Sequence, residues 1–412
     1  VKPIYLVHGK YGQCQTNIIF SNEEARSIVS RFRALSGRPF DEAHPILDFD
    51  LEDLQTRIAV IGKPLALDGI AFALRLHKDT PWTLSQFVDN GMFSAFNAGM
   101  FSFFVDAQAS MLIVGSRGAG KTSMLQSLML EIPQNLRILV QEDTQELPIP
   151  ALKRIGYSIQ RMKTRPPLGG GTETEVSAED ALRTALRLGD SVLIVGEVRS
   201  GEAKALYEAM RVGAVGNVVM GTIHGESAYS IWDRVVNDLG VPTTSFKATD
   251  FCLVGAPVRF KGSLKRQRRV VELTEVLKHW ESDPDRENGF QQWLQFDANK
   301  DSLDFFEDQV KERSEWVRKV RLSRGLSYED IMSEILARGA TKQHLVDQKR
   351  KYDIPLLLEA QYAVRAHNKY LLLAEKQREE NGGVDHKLLV AEWKKWTDDT
   401  LVRDLVALKG AQ

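Results

Sequence analysis

The chain has 412 residues, with 54 Lys and Arg against 55 Asp and Glu and a formal net charge of −1. That length accommodates two or three domains. The balanced charge excludes a global field for holding a polyanion, so any nucleic-acid site must be local. Two cysteines, Cys14 and Cys252, are too few for a disulfide framework or a zinc cluster and fit a reduced, cytoplasmic setting.

The chain opens on Val1 with neither a basic n-region nor an apolar h-region, so no signal peptide is expected, and the absent Met fits a trimmed N-terminus. Residues 4–7 and 16–20 read as strands. Ser21 is the expected N-cap of a helix carrying Ala25, Ile28, Val29 and Phe32 at helical spacing. Residues 56–61 and 70–76 read as further strands joined through Gly62, Pro64 and Gly69, which makes residues 1–85 a small α/β domain. Residues 92–114 are the one stretch that resembles a membrane span. Asn97, Asp106 and Gln108 interrupt it, whereas a span wants about 20 nearly unbroken apolar residues. An amphipathic helix and a buried strand are predicted there.

From 86 to 262 short apolar runs alternate with helical segments, at 111–114, 137–141, 192–195 and 218–220. Such runs fit strands buried on both faces of a mostly parallel sheet. Residues 166–172 read as a loop on composition. Beyond 263 the pattern turns helical and charged. Ser327 and Asp330 suggest a capping box before Ile331, Ile335 and Leu336, with Gly339 as the stop. Further helices are predicted over 356–380 and 387–408. Trp280, Trp293, Trp316, Trp393 and Trp396 read as core anchors, some of which could dock a partner.

Four segments carry chemistry. The first is Gly115-Ser116-Arg117-Gly118-Ala119-Gly120-Lys121-Thr122, between a strand and an apolar helical stretch. Backbone N–H groups of such a turn, with the positive end of the helix, wrap a phosphate. Lys121 would reach the β- and γ-phosphates of ATP, and the Thr122 hydroxyl would ligate Mg2+. The second is Glu142 with Asp143, at the carboxyl end of a strand, where ligands bind in open α/β sheets. The third is residues 192–199, four apolar residues leading to Gly196, Glu197, Val198 and Arg199. Glu197 stands where a strand-end acid orients water or holds the metal through water. Arg199 could contact phosphate or simply pair with a glutamate. The fourth is Thr222-Ile223-His224, at the end of another strand and in the place of a γ-phosphate sensor.

Taken in order, the phosphate loop, Glu142-Asp143, Leu186-Arg187 leading to Gly196-Glu197-Val198-Arg199, and Thr222-Ile223-His224 resemble the type II/type IV secretion ATPase superfamily. Its members have a Walker A loop, an acidic Asp box, a Walker B motif with Gly-Glu, and a His box. Lys10-Tyr11-Gly12, Thr16-Asn17-Ile18, Ser36-Gly37-Arg38-Pro39, Thr56-Arg57-Ile58, Phe72-Ala73-Leu74-Arg75 and the run from Arg268 to Glu275 are similar to its archaeal branch. The resemblance covers residues 1–275 and implies a RecA-like P-loop domain over 86–275. A PAS-like α/β domain precedes it and a helical region follows over 276–412. The tetracysteine zinc module of many bacterial members is absent, and so is the family's usual first N-terminal region.

The resemblance further implies a hexameric, Mg-dependent ATPase ring at the inner face of the cytoplasmic membrane, acting on a polytopic platform protein. Glu142 is then expected to activate water, Glu197 to stabilise the metal and that water, and His224 to report the γ-phosphate. Arg57 and Arg75 would add charge from the N-terminal domain. Which glutamate is the general base stays open. A DNA-translocating motor is the first rival, resting on Lys265, Arg266, Arg268 and Arg269. The second is a subunit that binds ATP without hydrolysing it, against which the retention of both glutamates argues.

Overall fold

A computed structural model describes residues 3–8, 11–51, 54, 56–76, 79–142, 144–163, 178–185, 192–199, 202–212, 218–259 and 266–410. Lys10, Asp143, Leu186, Arg187, Lys265 and the expected loop at 166–172 lie outside the described residues. The chain divides into two units, Val1–Asp79 and Thr80–Gln412.

In the first unit β1 (Pro3–His8) and β2 (Gly12–Ile19) form an antiparallel hairpin. The helix Asn22–Ser36 follows, begun by Ser21 in a capping box with Glu24 and ended by Gly37 at φ 65°. A three-stranded antiparallel sheet has the order β3 (Ile46–Leu51), β4 (Thr56–Ile61), β5 (Ala71–Leu76). Val29, Leu47, Ile58 and Val60 make its small core. Strand β3 is an addition to the predicted set. Its signal was the alternation of Leu47, Phe49 and Leu51 with Asp48 and Asp50.

The second unit is built on a nine-stranded sheet ordered β14-β13-β12-β11-β6-β10-β9-β7-β8. The strands are β6 (Met111–Gly115), β7 (Arg137–Glu142), β8 (Ser158–Lys163), β9 (Val192–Val198), β10 (Val219–Ile223), β11 (Phe251–Val258), β12 (Gln267–Val276), β13 (Phe290–Asp297) and β14 (Ser302–Phe305). From β11 to β8 the pairings are parallel, and β12 to β14 add on antiparallel. Alternate residues of β6 divide between two cores, Met111 and Ile113 in one and Leu112 and Val114 in the other. The strand is therefore covered on both faces, which is why it is apolar throughout.

Three expectations are corrected here. The helix Ala95–Asp106 is buried from Asn97 to Val105 and so is not amphipathic. The helix Tyr328–Tyr352 closes on it through two glycines: a Cβ on Gly99 would lie 2.1 Å from the Ile335 carbonyl oxygen, and one on Gly339 2.7 Å from that of Ala95. Gly339 thus sits inside the long helix rather than ending it, and Asp353, at φ 51°, is the C-cap. Finally, the chain beyond 263 is not helical at first. Strands β12 to β14 continue the sheet, and helices take over from Glu307. Arg268, Arg269, Glu272 and Glu275 had obscured the strand pattern of β12.

The capping box at Ser327 forms with Asp330 as expected. The expected last helix runs as His386–Thr397, a wider π-turn at Asp398–Val402, and Arg403–Gly410. Trp280, Trp293, Trp316 and Trp393 are core anchors. Among the described residues no helix is long and apolar enough to cross a membrane.

Candidate functional site

Strand β6 feeds directly into the glycine-rich turn, and the helix Lys121–Met129 starts from it. Gly118 and Gly120 adopt φ 82° and 95°, the left-handed region open to glycine at little cost. Curvature of this kind is what an anion-binding turn at a helix N-terminus requires, and the Ala119 N–H donates to the Ser116 carbonyl at 3.2 Å across the bend. Gly115 has no room for a side chain, since a Cβ would lie 2.6 Å from the Gly255 carbonyl oxygen and 2.8 Å from the Ala119 Cβ. Arg117 is exposed on the bend.

Lys121 Nζ donates to the carbonyls of Gly115 (2.9 Å) and Ser116 (3.2 Å), which folds the ammonium back over the loop. It also lies 3.4 Å from His224 Nδ1. An ammonium only donates, so Nδ1 is the acceptor. Burial first, and then the Lys121 charge, hold His224 below its ordinary pKa against the opposing pull of Glu197. A neutral ring accepting at Nδ1 carries its proton on Nε2, which faces Glu197 Oε1 at 3.1 Å. His224 therefore links Lys121 to Glu197. Arg199 donates to the other oxygen of Glu197. Burial raises the Glu197 pKa, but Arg199, His224 and Lys121 outweigh it and hold the carboxyl ionised. Burial also pulls the Lys121 pKa down, with Glu197 and Glu146 opposing and Arg199 adding to the pull.

Glu142 ends β7 and is only 5% exposed. Its Oε1 accepts the backbone N–H groups of Glu146 and Leu147, each at 3.0 Å. Burial pushes its pKa up to about 7 despite those two bonds. The buried carboxylate thus shapes the turn that brings Glu146 to Thr122, whose hydroxyl donates to Glu146 Oε2 at 2.9 Å. The same packing accounts for the unusual glycine before Glu197. A Cβ on Gly196 would meet Glu142 Cγ at 2.8 Å, so only glycine lets β9 pass the Glu142 side chain. The Gly196 carbonyl accepts from the Thr222 hydroxyl, tying β9 to β10.

The fold thus gathers the loop from Gly115 to Thr122 with Glu142, Glu197, Arg199 and His224 at the carboxyl ends of β6, β7, β9 and β10. Arg57 and Arg75 belong to the first unit, opposite one another on β4 and β5. Arg57 grips Asp48 through Nε (3.0 Å) and Nη2 (2.8 Å). Three residues of the site escaped the sequence reading. Glu146 carried a signal, a third acid in the same turn as Glu142. Arg234 donates to the His224 carbonyl at 3.0 Å, and Arg268 Nε donates to the Gly118 carbonyl at 2.9 Å. Neither contact has a local sequence signature, because each joins residues on separate elements.

Among the described residues no three His, Cys, Asp or Glu side chains form a metal cage. The Thr122 hydroxyl with the Glu146 carboxylate is an oxygen donor set, the kind that suits a hard cation shared with phosphate and water.

The model of the family described as "Type II/IV secretion system protein" matches residues 18–272. Two uncharacterized proteins of Methanocaldococcus jannaschii are similar. One is 33% identical over 216 residues, covering 51% of this chain and 29% of the relative. The other is 29% identical over 302 residues, covering 69% and 52%. The chain therefore spans about half or less of the length of these relatives. Among solved structures, that of the Legionella pneumophila ATPase DotB aligns at 20% identity and TM-score 0.48, covering 82% of this chain and 89% of that one.

Proposed function

Because the chain belongs to the type II/IV secretion system protein family, we propose that it is a Mg-dependent ATP hydrolase. On this reading it works as a hexameric ring at the inner face of the cytoplasmic membrane. There it powers a type IV pilus-like filament or a type II/IV secretion apparatus through a polytopic platform protein. One observation carries the reading: Lys121 lies among a phosphate-loop turn, His224, Glu197 and Glu146 at one sheet edge.

The residues divide the work as their geometry suggests. Loop N–H groups and Lys121 hold the β- and γ-phosphates and draw charge from them as it develops. The Thr122 hydroxyl and Glu146 would hold the magnesium ion, which supplies charge neutralisation on the phosphate oxygens when bound. Glu197, kept ionised by Arg199, accepts hydrogen bonds from water on the γ-phosphate side, and His224 connects it to Lys121. Glu142 was expected to activate water; its burial and its two backbone bonds favour instead a role in positioning Glu146. By the family resemblance, Arg57 and Arg75 would contribute positive charge to the phosphates.

Phosphate release with and without Mg2+ tests the proposal. Lys121→Ala and Glu197→Gln should each lower it at least about tenfold; unchanged release in both would refute hydrolysis and favour a subunit that only binds ATP. The DNA-translocating alternative loses support from two of its four basic residues. Arg268 is engaged with Gly118, and Arg269 with Asp301. Turnover stimulated by DNA with a steep salt dependence would restore it.

A further inference from the structure

The three antiparallel strands added to the sheet reach the phosphate loop through one side chain. Strands β11 and β6 run in parallel with Gly255 opposite Gly115, so β11 flanks the root of the loop. The β12 register then slips: Val254 pairs with Glu272, but Gly255 pairs with Val270. This one-residue bulge at Val271 re-aims the side chains that precede it, a device common beside functional sites. Before it in the chain, two neighbouring arginines point to opposite faces, as successive strand residues do. Arg269 turns inward and is 8% exposed. Its Nε and Nη2 grip Asp301, on the β13–β14 turn, at 2.7 and 2.8 Å, while Nη1 donates to the Arg268 carbonyl at 3.0 Å. Arg268 is thereby fixed at its backbone and lies across β11. Its Nε donates to the Gly118 carbonyl at 2.9 Å, and its Cδ is 3.4 Å from the position of a Cβ on Gly120.

We propose that Arg268 is a positioning residue of the nucleotide site, holding the outer bend of the phosphate loop in its anion-binding curvature and adding positive charge at its rim. The proposal rests on the nucleotide-binding reading of Lys121 and the loop. Gly118 is a left-handed residue at the turn of the loop; the peptide that follows it is held on its N–H side by Ala119, which donates to the Ser116 carbonyl at 3.2 Å, and on its carbonyl side by Arg268. A donor fixed on β12 gives that peptide its second anchor before the polyphosphate arrives, and preorganisation of this kind appears as affinity. Arg268 contacts neither Glu197 nor His224 in this arrangement, so it should govern how tightly nucleotide is held and leave the cleavage step alone.

Titration of the full chain with a fluorescent ADP analogue, alongside steady-state ATP turnover and thermal unfolding, tests this. Arg268→Ala should raise Kd about 5- to 20-fold. KM for ATP should rise in parallel, kcat should stay within about twofold, and the melting temperature should hold. Arg268→Met keeps the stem beside Gly120 but lacks the donor and the charge, so it should behave alike even if the alanine variant folds poorly. Arg268→Lys should recover part of the affinity. An unchanged Kd in the folded methionine variant, or a fall in kcat at constant Kd, overturns the assignment. Lys121→Ala separates the two levels. If it abolishes binding while Arg268→Met does not weaken it, only the role of Arg268 fails. If Lys121→Ala leaves binding and turnover intact, the nucleotide reading fails and takes this role with it.

Discussion

At the scale of single residues, the site is explained by who excludes whom. Gly196 departs from the aspartate usual before the strand-end acid, and the space it leaves is taken by the Glu142 side chain at 2.8 Å from a would-be Cβ. Overpacking at such a contact costs about 1–3 kcal/mol. Gly196→Ala should therefore lower stability by that order and slow turnover, because a displaced Glu142 no longer shapes the turn that carries Glu146. A double-mutant cycle with Glu142→Ala isolates the contact. The alanine at 196 should cost much less once the Glu142 side chain is gone, and an equal cost in both backgrounds would count against the packing account.

At the scale of elements, the helix that follows the phosphate loop is tied to the C-terminal helices by a buried ionic cluster. Glu131, just beyond the helix Lys121–Met129, accepts Lys342 Nζ at 2.6 and 2.8 Å and the Ser102 hydroxyl at 2.6 Å, and lies 3.1 Å from His367 Nδ1. On the long helix, Arg338 reaches Glu334 and Asp106, and Arg324 also pairs with Asp106. Burial pushes the Glu131 pKa up, but His367, Lys342 and Ser102 together bring it down to about 2. A carboxyl with a lowered folded pKa contributes stability above its unfolded value of 4.5, and that stability is lost as pH falls from 4.5 toward 2. Glu131→Gln should cost about 3–5 kcal/mol at neutral pH, since Lys342 is left buried without its counter-charge. The variant should also lose part of the acid-induced fall in thermal stability over that window. Melting curves from about pH 7 down to about pH 2 check both outcomes.

At the scale of the whole molecule, the second unit joins the sheet and the C-terminal helices around a shared core. Trp316, Val317, Ile331 and Ile335 lie in the same cluster as Met111 and Phe251. The helical region is accordingly part of the body that carries the phosphate loop. A ring is the proposed assembly for that body. Light scattering with a non-hydrolysable ATP analogue and Mg2+ should give a mass near six protomers; a monomer at every nucleotide concentration would remove the ring from the proposal.

The sequence by itself determined the phosphate loop, the strand-end acids and the apolar strands that carry them. These are local patterns, because a strand buried on both faces must be apolar and a phosphate turn must be glycine-rich. It also determined the caps at Ser21 and Ser327, where the bonding partners are three residues apart. Only the tertiary structure decided which glutamate meets Thr122, why residue 196 is glycine, where Gly339 belongs, and that Arg268 serves the loop. Each of those facts depends on a contact between residues far apart in the chain or on different elements. Arg268 and Gly118 are 150 residues apart, so no local period connects them. Composition and spacing describe a residue's neighbours along the chain, whereas burial and close approach are set by the packing of separate elements.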